Sequence, residues 1–255
     1  MIEILTLMSG RWYAWEPYWR SILDLDWPRD KLSLTWYSNA SGIFLEFLEK
    51  KAKEAADLGF HVKVFADSGI RVSANAFANG GLRTMEHALA ICSLYNAAWK
   101  RLSGKNRVLL IEDDTAIPSH SAKRFMKALD ENKKACYVSG VAFDRHSPAM
   151  FVWEIEKQPK GWGGNGHPVW VSFSPQHTWG VRQVGAAGFG CTMIDPGRVP
   201  NVGKPIFKPQ VTVKGAQHFV GCDIVFCFEV QQKGAQCLVD YDVRAFHYDA
   251  NGRPH

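Results

Sequence analysis

Apolar residues in this chain switch between two periods, and the switching predicts an architecture. Glu3–Met8 is a short, nearly continuous apolar run of the kind that a strand buried on both faces requires. Ser9-Gly10-Arg11 breaks it, and a helix is expected over Trp15–Leu23, ending before Trp27-Pro28. Leu32–Tyr37 repeats the strand pattern and closes at Ser38-Asn39-Ala40-Ser41-Gly42. From Phe44 to Leu58 the period lengthens: Phe44, Leu45, Phe47, Leu48, Ala52, Ala55 and Leu58 share a helical face, and Gly59 suits the turn that ends a helix. A third strand is expected over His61–Ala66, a helix over Thr84–Leu102, a fourth strand over Arg107–Ile111, and a helix from about His120 to Glu131. Repeated strand–helix alternation implies an α/β fold, with a parallel or mostly parallel sheet wrapped by helices.

The second half is less regular. Ala135–Phe143 reads as a strand, and the glycine-rich Lys157–His167, which contains Trp162, as a loop. Val169–Phe173 and Val184–Ile194 follow as strands, the latter carrying Gly185, Gly188 and Gly190. A helix over Cys222–Lys233 stops at Gly234, and Gln236–Val239 and Val243–His247 make two short final strands. No repeat, low-complexity tract or linker divides the chain. One domain over residues 1–255 is therefore expected, with a regular half over 1–134 and an irregular half over 135–255.

Residues Arg107–Pro118, RVLLIEDDTAIP, concentrate the chemistry. The apolar run Val108–Ile111 leads straight into Glu112, Asp113 and Asp114. Clustered carboxylates at a strand tip repel one another and resist desolvation. A divalent cation held by oxygen ligands removes both problems. The C-terminal edge of the sheet is also where α/β proteins bind their ligands. The competing reading is a solvated acidic turn.

Composition narrows the setting. Hydrophobic residues make up 46% of the chain, enough for a sizeable core. No apolar run approaches the roughly 20 residues needed to span a bilayer. The opening MIEILTLMSG reads as a first strand and not as a signal peptide, so a cytoplasmic location is expected. The cysteines, Cys92, Cys136, Cys191, Cys222, Cys227 and Cys237, have no metal-binding spacing and are expected to be buried free thiols. A net charge of +5 admits an anionic partner, such as a sugar nucleotide, nucleic acid or acidic membrane surface, without requiring one. Arg198, Lys204, Lys208 and Lys214 lie in an acid-free stretch with Pro200, Pro205 and Pro209, read as a long basic loop or a pair of edge strands.

In this order the motifs resemble the GT-A glycosyltransferases, most closely the glycosyltransferase family 2 pattern. A weaker echo of fungal Golgi mannosyltransferases of the Anp1/Mnn9 type runs through residues 4–41. The resemblance implies a GT-A fold: a mostly parallel central sheet flanked by helices, with a nucleotide-sugar-binding first half and an irregular acceptor-side second half. It further implies a metal-dependent hexosyltransferase that moves a sugar from a nucleotide-sugar donor to an acceptor hydroxyl, with Mn²⁺ or Mg²⁺ as cofactor.

Site residues follow by position. The opening ILTLMSGR, with Thr6, Ser9 and Arg11, matches the strand and turn that contact the nucleotide. Asn39 stands where the family usually has an acid. Asp67 would accept from the base, which favours uracil and hence a UDP-sugar. Asn96 falls where the family has Arg-Asn, but Tyr95 replaces the Arg, with Arg83 or Lys100 as candidates to compensate. Glu112 and Asp114 occupy the two acidic positions of the family's D-x-D motif. Asp114 is the first choice as direct metal ligand. Glu112 would bind through water or hold the ribose, and Asp113 could take either role. His247 would supply a further ligand, as Mn²⁺ accepts imidazole more readily than Mg²⁺ does.

Asp223, in Gly221-Cys222-Asp223-Ile224-Val225-Phe226, resembles the family's acidic helix start and would act as the base that deprotonates the acceptor. Its alternative is a helix cap. Trp162, Gly188 and Phe189 are the acceptor-binding candidates. Family 2 implies inversion at the anomeric carbon, whereas the mannosyltransferase echo implies retention. The acceptor could be a glycan or a hydroxymethylated DNA base, the latter flipped from its duplex. Two rival readings are a metal-dependent phosphohydrolase or nuclease built on the acids and a non-catalytic sugar-nucleotide-binding domain.

Overall fold

The first strand, β1 (Ile2–Met8), is buried at every position except the partly exposed Leu7, which places it in the middle of a sheet. A computed structural model of the chain describes residues 1–40, 42–67, 69–70, 85–142, 150–156, 169–172, 179–211 and 219–255. After β1 come α1 (Trp15–Leu23), β2 (Leu32–Ser38), α2 (Ile43–Asp57), β3 (His61–Ala66) and α3 (Met85–Trp99). Next are β4 (Arg107–Ile111), β5 (Thr115–Ala116), α4 (Ser121–Glu131) and β6 (Ala135–Ala142). Short strands follow: β7 (Val152–Glu156), β8 (Val169–Ser172), β9 (Val181–Gln183), β10 (Ala186–Ala187), β11 (Cys191–Ile194), β12 (Gln210–Val211) and β13 (Phe219–Val220). The last elements are α5 (Cys222–Gln232) and β14 (Gln236–His247).

The main sheet has the order β3-β2-β1-β4-β11-β6-β14-β5, with β9 also on β14. The first four strands in that order are parallel. Strand β11 runs antiparallel between β4 and β6, and β14 is parallel to β6. The two halves of the chain thus share one mostly parallel sheet.

Period-2 alternation splits the core between the two faces of that sheet. Ile4, Leu109 and Ile111 pack on one face with Tyr18, Trp19, Trp36 and Phe125. Leu5, Val108 and Leu110 pack on the other with Tyr95, Tyr137, Phe207 and Phe226. Helix α1 buries Trp15, Tyr18, Trp19 and Ile22, the i, i+3, i+4, i+7 face. Among the described residues no helix is long and apolar enough to cross a membrane.

Several expectations are corrected. The predicted strand Val184–Ile194 is two short strands interrupted at Gly188–Gly190. The two predicted final strands are one, β14. Asp240 and Asp242 disguised it by breaking the apolar pattern. Arg124 of α4 neutralises both, donating to the Asp240 carboxylate at 2.7 and 2.8 Å and to Asp242 at 2.6 Å. Helix α3 ends at Trp99, short of Leu102. In the basic stretch β12 and β13 form an antiparallel pair. The loop Lys157–His167, with Trp162, lies outside the described residues.

Strand β14 carries a bulge. Asp240 pairs with Gly140, yet Arg244 pairs with Val141, so Tyr241–Val243 have no partner on β6. Val243 fills the space beside Gly140, where a Cβ would lie 2.8 Å from the Val243 carbonyl oxygen and 2.9 Å from its Cγ1. Beyond the bulge Val243, Ala245 and His247 are buried while Arg244 and Phe246 face outward. Replacing Gly140 with Ala is therefore expected to destabilise the protein by about 1–3 kcal/mol, as overpacking does, measured as a lower urea midpoint with an unchanged slope.

Candidate active site

Strands β1 and β4 are parallel neighbours, so their C-terminal ends deliver Ser9, Arg11 and the three acids to one edge. The chain turns sharply here, the Thr115 N–H donating to the Glu112 carbonyl at 3.0 Å, and the acids reach different partners. Asp113 turns toward β1: its Oδ2 accepts from the Ser9 N–H at 2.7 Å and the Ser9 hydroxyl at 2.8 Å. Its Oδ1 accepts from Arg11 Nη1 at 2.9 Å. The same nitrogen donates to Asp114 Oδ2 at 2.7 Å. Burial works against the Arg11 charge, but Asp113, Asp114 and Glu112 more than offset it, and the Arg11 pKa is raised.

Glu112 and Asp114 meet His247 instead. Strand β5 pairs Thr115 with His247 and so docks the end of β14 beside the acids. His247 Nε2 lies 3.2 Å from Glu112 Oε2, and Glu112, Asp114 and His247 each offer a ligand atom within 4.8 Å of the others. Asp114 and His247 are buried and Glu112 is partly exposed. Gly190 makes room: a Cβ there would sit 3.2 Å from His247 Nε2. The Phe151 ring meets the His247 ring edge-on at 5.8 Å. Two carboxylates and an imidazole, converging at a partly open edge, fit a divalent cation such as Mn²⁺.

Asp223 reaches the same region from α5. Gly221 occupies the N-cap position, and Asp223 sits in the first turn. Its Oδ1 accepts from the Ile224 N–H at 2.9 Å. Its Oδ2 lies 3.7 Å from where a Cβ on Gly188 would be. The carbonyl of Gly188 is held by the hydroxyls of Tyr137, Ser139 and Thr192, at 3.1, 3.1 and 2.9 Å. The bend Gly188–Gly190 is thus fixed, with Asp223 at one glycine and His247 at the other. Tyr95 sits behind it. Burial raises its phenol well above 10, and the charges of Glu112, Asp223 and Asp113 add to that shift.

Asp67 lies further along the edge. Its Oδ2 accepts from the Tyr37 hydroxyl at 3.0 Å and its Oδ1 from the Gly69 N–H at 3.1 Å. Burial and the Asp67 carboxylate both raise the Tyr37 pKa. Other candidates are occupied elsewhere. Thr6 is fully buried, hydrogen-bonded to the Tyr18 hydroxyl at 2.9 Å. The Asn96 side chain clamps the backbone of Phe207, donating to its carbonyl at 2.6 Å and accepting from its N–H at 3.1 Å. Phe189 is buried among Tyr95, Phe207 and Phe226. Asn39 is partly exposed after β2.

In the basic stretch Arg198 donates to the carbonyls of Leu129, Asn132 and Ala135, and Lys208 pairs with Glu229 at 2.6 Å. Sequence reasoning missed Tyr37 and Phe151, and it flagged the glycines of Gly185–Cys191 without assigning Gly190 to His247. A strand tyrosine one residue before a polar turn was the available signal for Tyr37.

No family model and no curated protein sequence matches the chain. Solved structures do. A fragment of S. aureus TarS superposes with a TM-score of 0.55 at 12% identity, over 95% of this chain and 59% of that one. GalNAc-T7, determined with UDP, GalNAc and Mn²⁺, gives 0.55 at 14% identity, over 97% and 43%. The mannosyltransferase PcManGT from Pyrobaculum calidifontis, with GDP-Man and Mn²⁺, gives 0.56 at 14% identity, over 96% and 55%. The chain therefore spans roughly half the length of these proteins, and what it has in common with them is the GT-A glycosyltransferase fold.

Proposed function

We propose that this chain is a metal-dependent hexosyltransferase that moves a sugar from a nucleotide-sugar donor to an acceptor hydroxyl. The observation that carries this reading is the convergence of Glu112, Asp114 and His247 at the C-terminal edge of a GT-A sheet. A divalent cation held there, Mn²⁺ or Mg²⁺, supplies neutralisation of the charge that develops on a departing nucleoside diphosphate. Asp114 and His247 hold it from buried positions, and Glu112 from the solvent side. Ser9 and Arg11, bonded to Asp113 and Asp114, lie beside the same acids and orient the diphosphate.

Asp67 binds the base. Its two oxygens keep acceptor capacity after the Tyr37 and Gly69 bonds, which suits the N3–H of uracil. A UDP-sugar is the preferred donor, and UDP accompanies the GalNAc-T7 neighbour just as GDP-Man accompanies PcManGT. Asp223 takes the proton from the acceptor hydroxyl as the new bond forms, with inversion at the anomeric carbon. The missing side chain at Gly188 lets the acceptor approach Asp223.

A glycan acceptor is favoured over a hydroxymethylated DNA base, because Arg198 and Lys208 are spent on internal contacts. Among the described residues there is one group of three or more metal-capable side chains. That supports a donor-metal site over a two-metal phosphohydrolase. Six buried free cysteines, with the Cys136 thiol pushed up to about 12 by burial, suit a reducing compartment such as the cytoplasm.

The decisive experiment is a thermal-shift screen of UDP- and GDP-sugars with and without Mn²⁺. One donor together with the metal should raise the melting temperature by several degrees, and a flat response to every pair overturns the proposal. With that donor, Asp114→Asn should abolish the Mn²⁺-dependent part of nucleotide binding in calorimetry. Asp223→Asn should leave donor and metal affinity within about twofold while lowering turnover by about 10²–10⁴-fold, the usual contribution of a general base. Equal loss of binding in both variants would instead make Asp223 a structural residue.

A further inference from the structure

Asp114 belongs to two sets of contacts at once. It is a member of the group with Glu112 and His247, and it is the 2.7 Å partner of Arg11. We infer that Arg11 is a built-in counter-cation, which competes with a lone divalent ion for Asp114 and passes to the diphosphate when donor and metal arrive together. This rests on the reading of the acid cluster as a donor site.

Three consecutive acids at one strand tip need a positive charge when no ligand is bound. Asp113 is 5% exposed, Asp114 0%, and Arg11 29%, so one partly exposed guanidinium serves two buried carboxylates. Removing such a partner leaves buried charge uncompensated. The same guanidinium becomes an obstacle to a cation on Asp114, since like charges sharing one carboxylate repel strongly in a partly desolvated site. A diphosphate reverses the balance, because it brings negative charge to both cations.

The geometry is suited to that exchange. Both Arg11 bonds run from a single nitrogen, Nη1. Among the described residues Nε and Nη2 donate to no protein group, so two nitrogens of the planar fork remain for phosphate oxygens. Asp113 does not depend on Arg11 alone for its position. Its Oδ2 stays held by the Ser9 N–H and hydroxyl at 2.7 and 2.8 Å if the guanidinium moves. Metal and diphosphate binding are thereby coupled, and the coupling is reciprocal.

The test measures Mn²⁺ affinity by electron paramagnetic resonance of the free ion, on the full chain, without nucleotide and then with UDP or GDP. The wild type should bind Mn²⁺ weakly alone and about 5–150-fold more tightly with the diphosphate, the usual span of such couplings. Arg11→Gln should bind Mn²⁺ alone about tenfold more tightly than the wild type, bind the diphosphate more weakly, and show a smaller coupling. Arg11→Lys, which keeps the charge and loses the fork, should restore the weak Mn²⁺ binding while leaving the diphosphate weakened. A damaged fold lowers both affinities, so a gain in one with a loss in the other separates the role from simple disruption.

Unchanged or weaker Mn²⁺ binding in Arg11→Gln, in a protein that still binds the diphosphate, overturns the role of Arg11 alone. A wild type whose Mn²⁺ affinity is the same with and without diphosphate does so too. A wild type that binds neither Mn²⁺ nor diphosphate overturns the donor-site reading and this inference with it.

Discussion

The lashing of one strand tip to its neighbour is the constraint on which the rest of the site depends. Asp113 ties the end of β4 to the turn after β1 through the Ser9 N–H, the Ser9 hydroxyl and Arg11. Charge-assisted bonds of this kind are short and directional. With Asp113 tied to β1, the tight turn Glu112–Thr115 leaves Glu112 and Asp114 beside His247, Asp114 also reaching Arg11. One carboxylate is used for structure so that its two neighbours become available for chemistry. The polarity of the sheet does the rest, because parallel strands bring all their C-terminal ends to the same edge.

That edge is then closed from the second half of the chain by elements of different kinds. The glycine bend between β10 and β11 is pinned through its own carbonyl, and each of its end glycines omits a side chain where a functional group needs the space. Helix α5 brings Asp223 in its first turn, and β14 brings His247 at its last residue. Phe151 touches both regions, packed against His247 and against the place where Gly188 would carry a Cβ.

The regular half of this arrangement was readable in the sequence and the irregular half only in part. Continuous apolar runs gave β1, β2 and β4, and the 3.6-residue period gave α1, α2 and α4, because burial on one or both faces dictates those patterns. The acids after β4 were legible because a hydrophobic strand seldom runs into three charges. Short strands such as β5 and β9 left no signal, since two or three residues carry no period. Strand β14 was split in the reading because Asp240 and Asp242 looked like a turn, and their neutralisation by Arg124 is a tertiary fact. For the same reason the sequence offered Thr6 and Asn96 as ligand contacts, while folding engages them with Tyr18 and Phe207.

The bulge opposite Gly140 has a consequence for how such a chain can change over time. Side chains on a strand alternate, so gaining or losing one residue among Tyr241–Val243 would send His247 to the opposite face while the ladder before the bulge kept its pairing. Tyr241, Val243 and Ala245 are themselves buried, so the core would register the event together with His247. The position of His247 is thus set by a length, counted in residues, in a segment that the core also constrains. A descendant that dropped a single codon there would disturb the packing of Val243 and Ala245 and the position of the imidazole in one step.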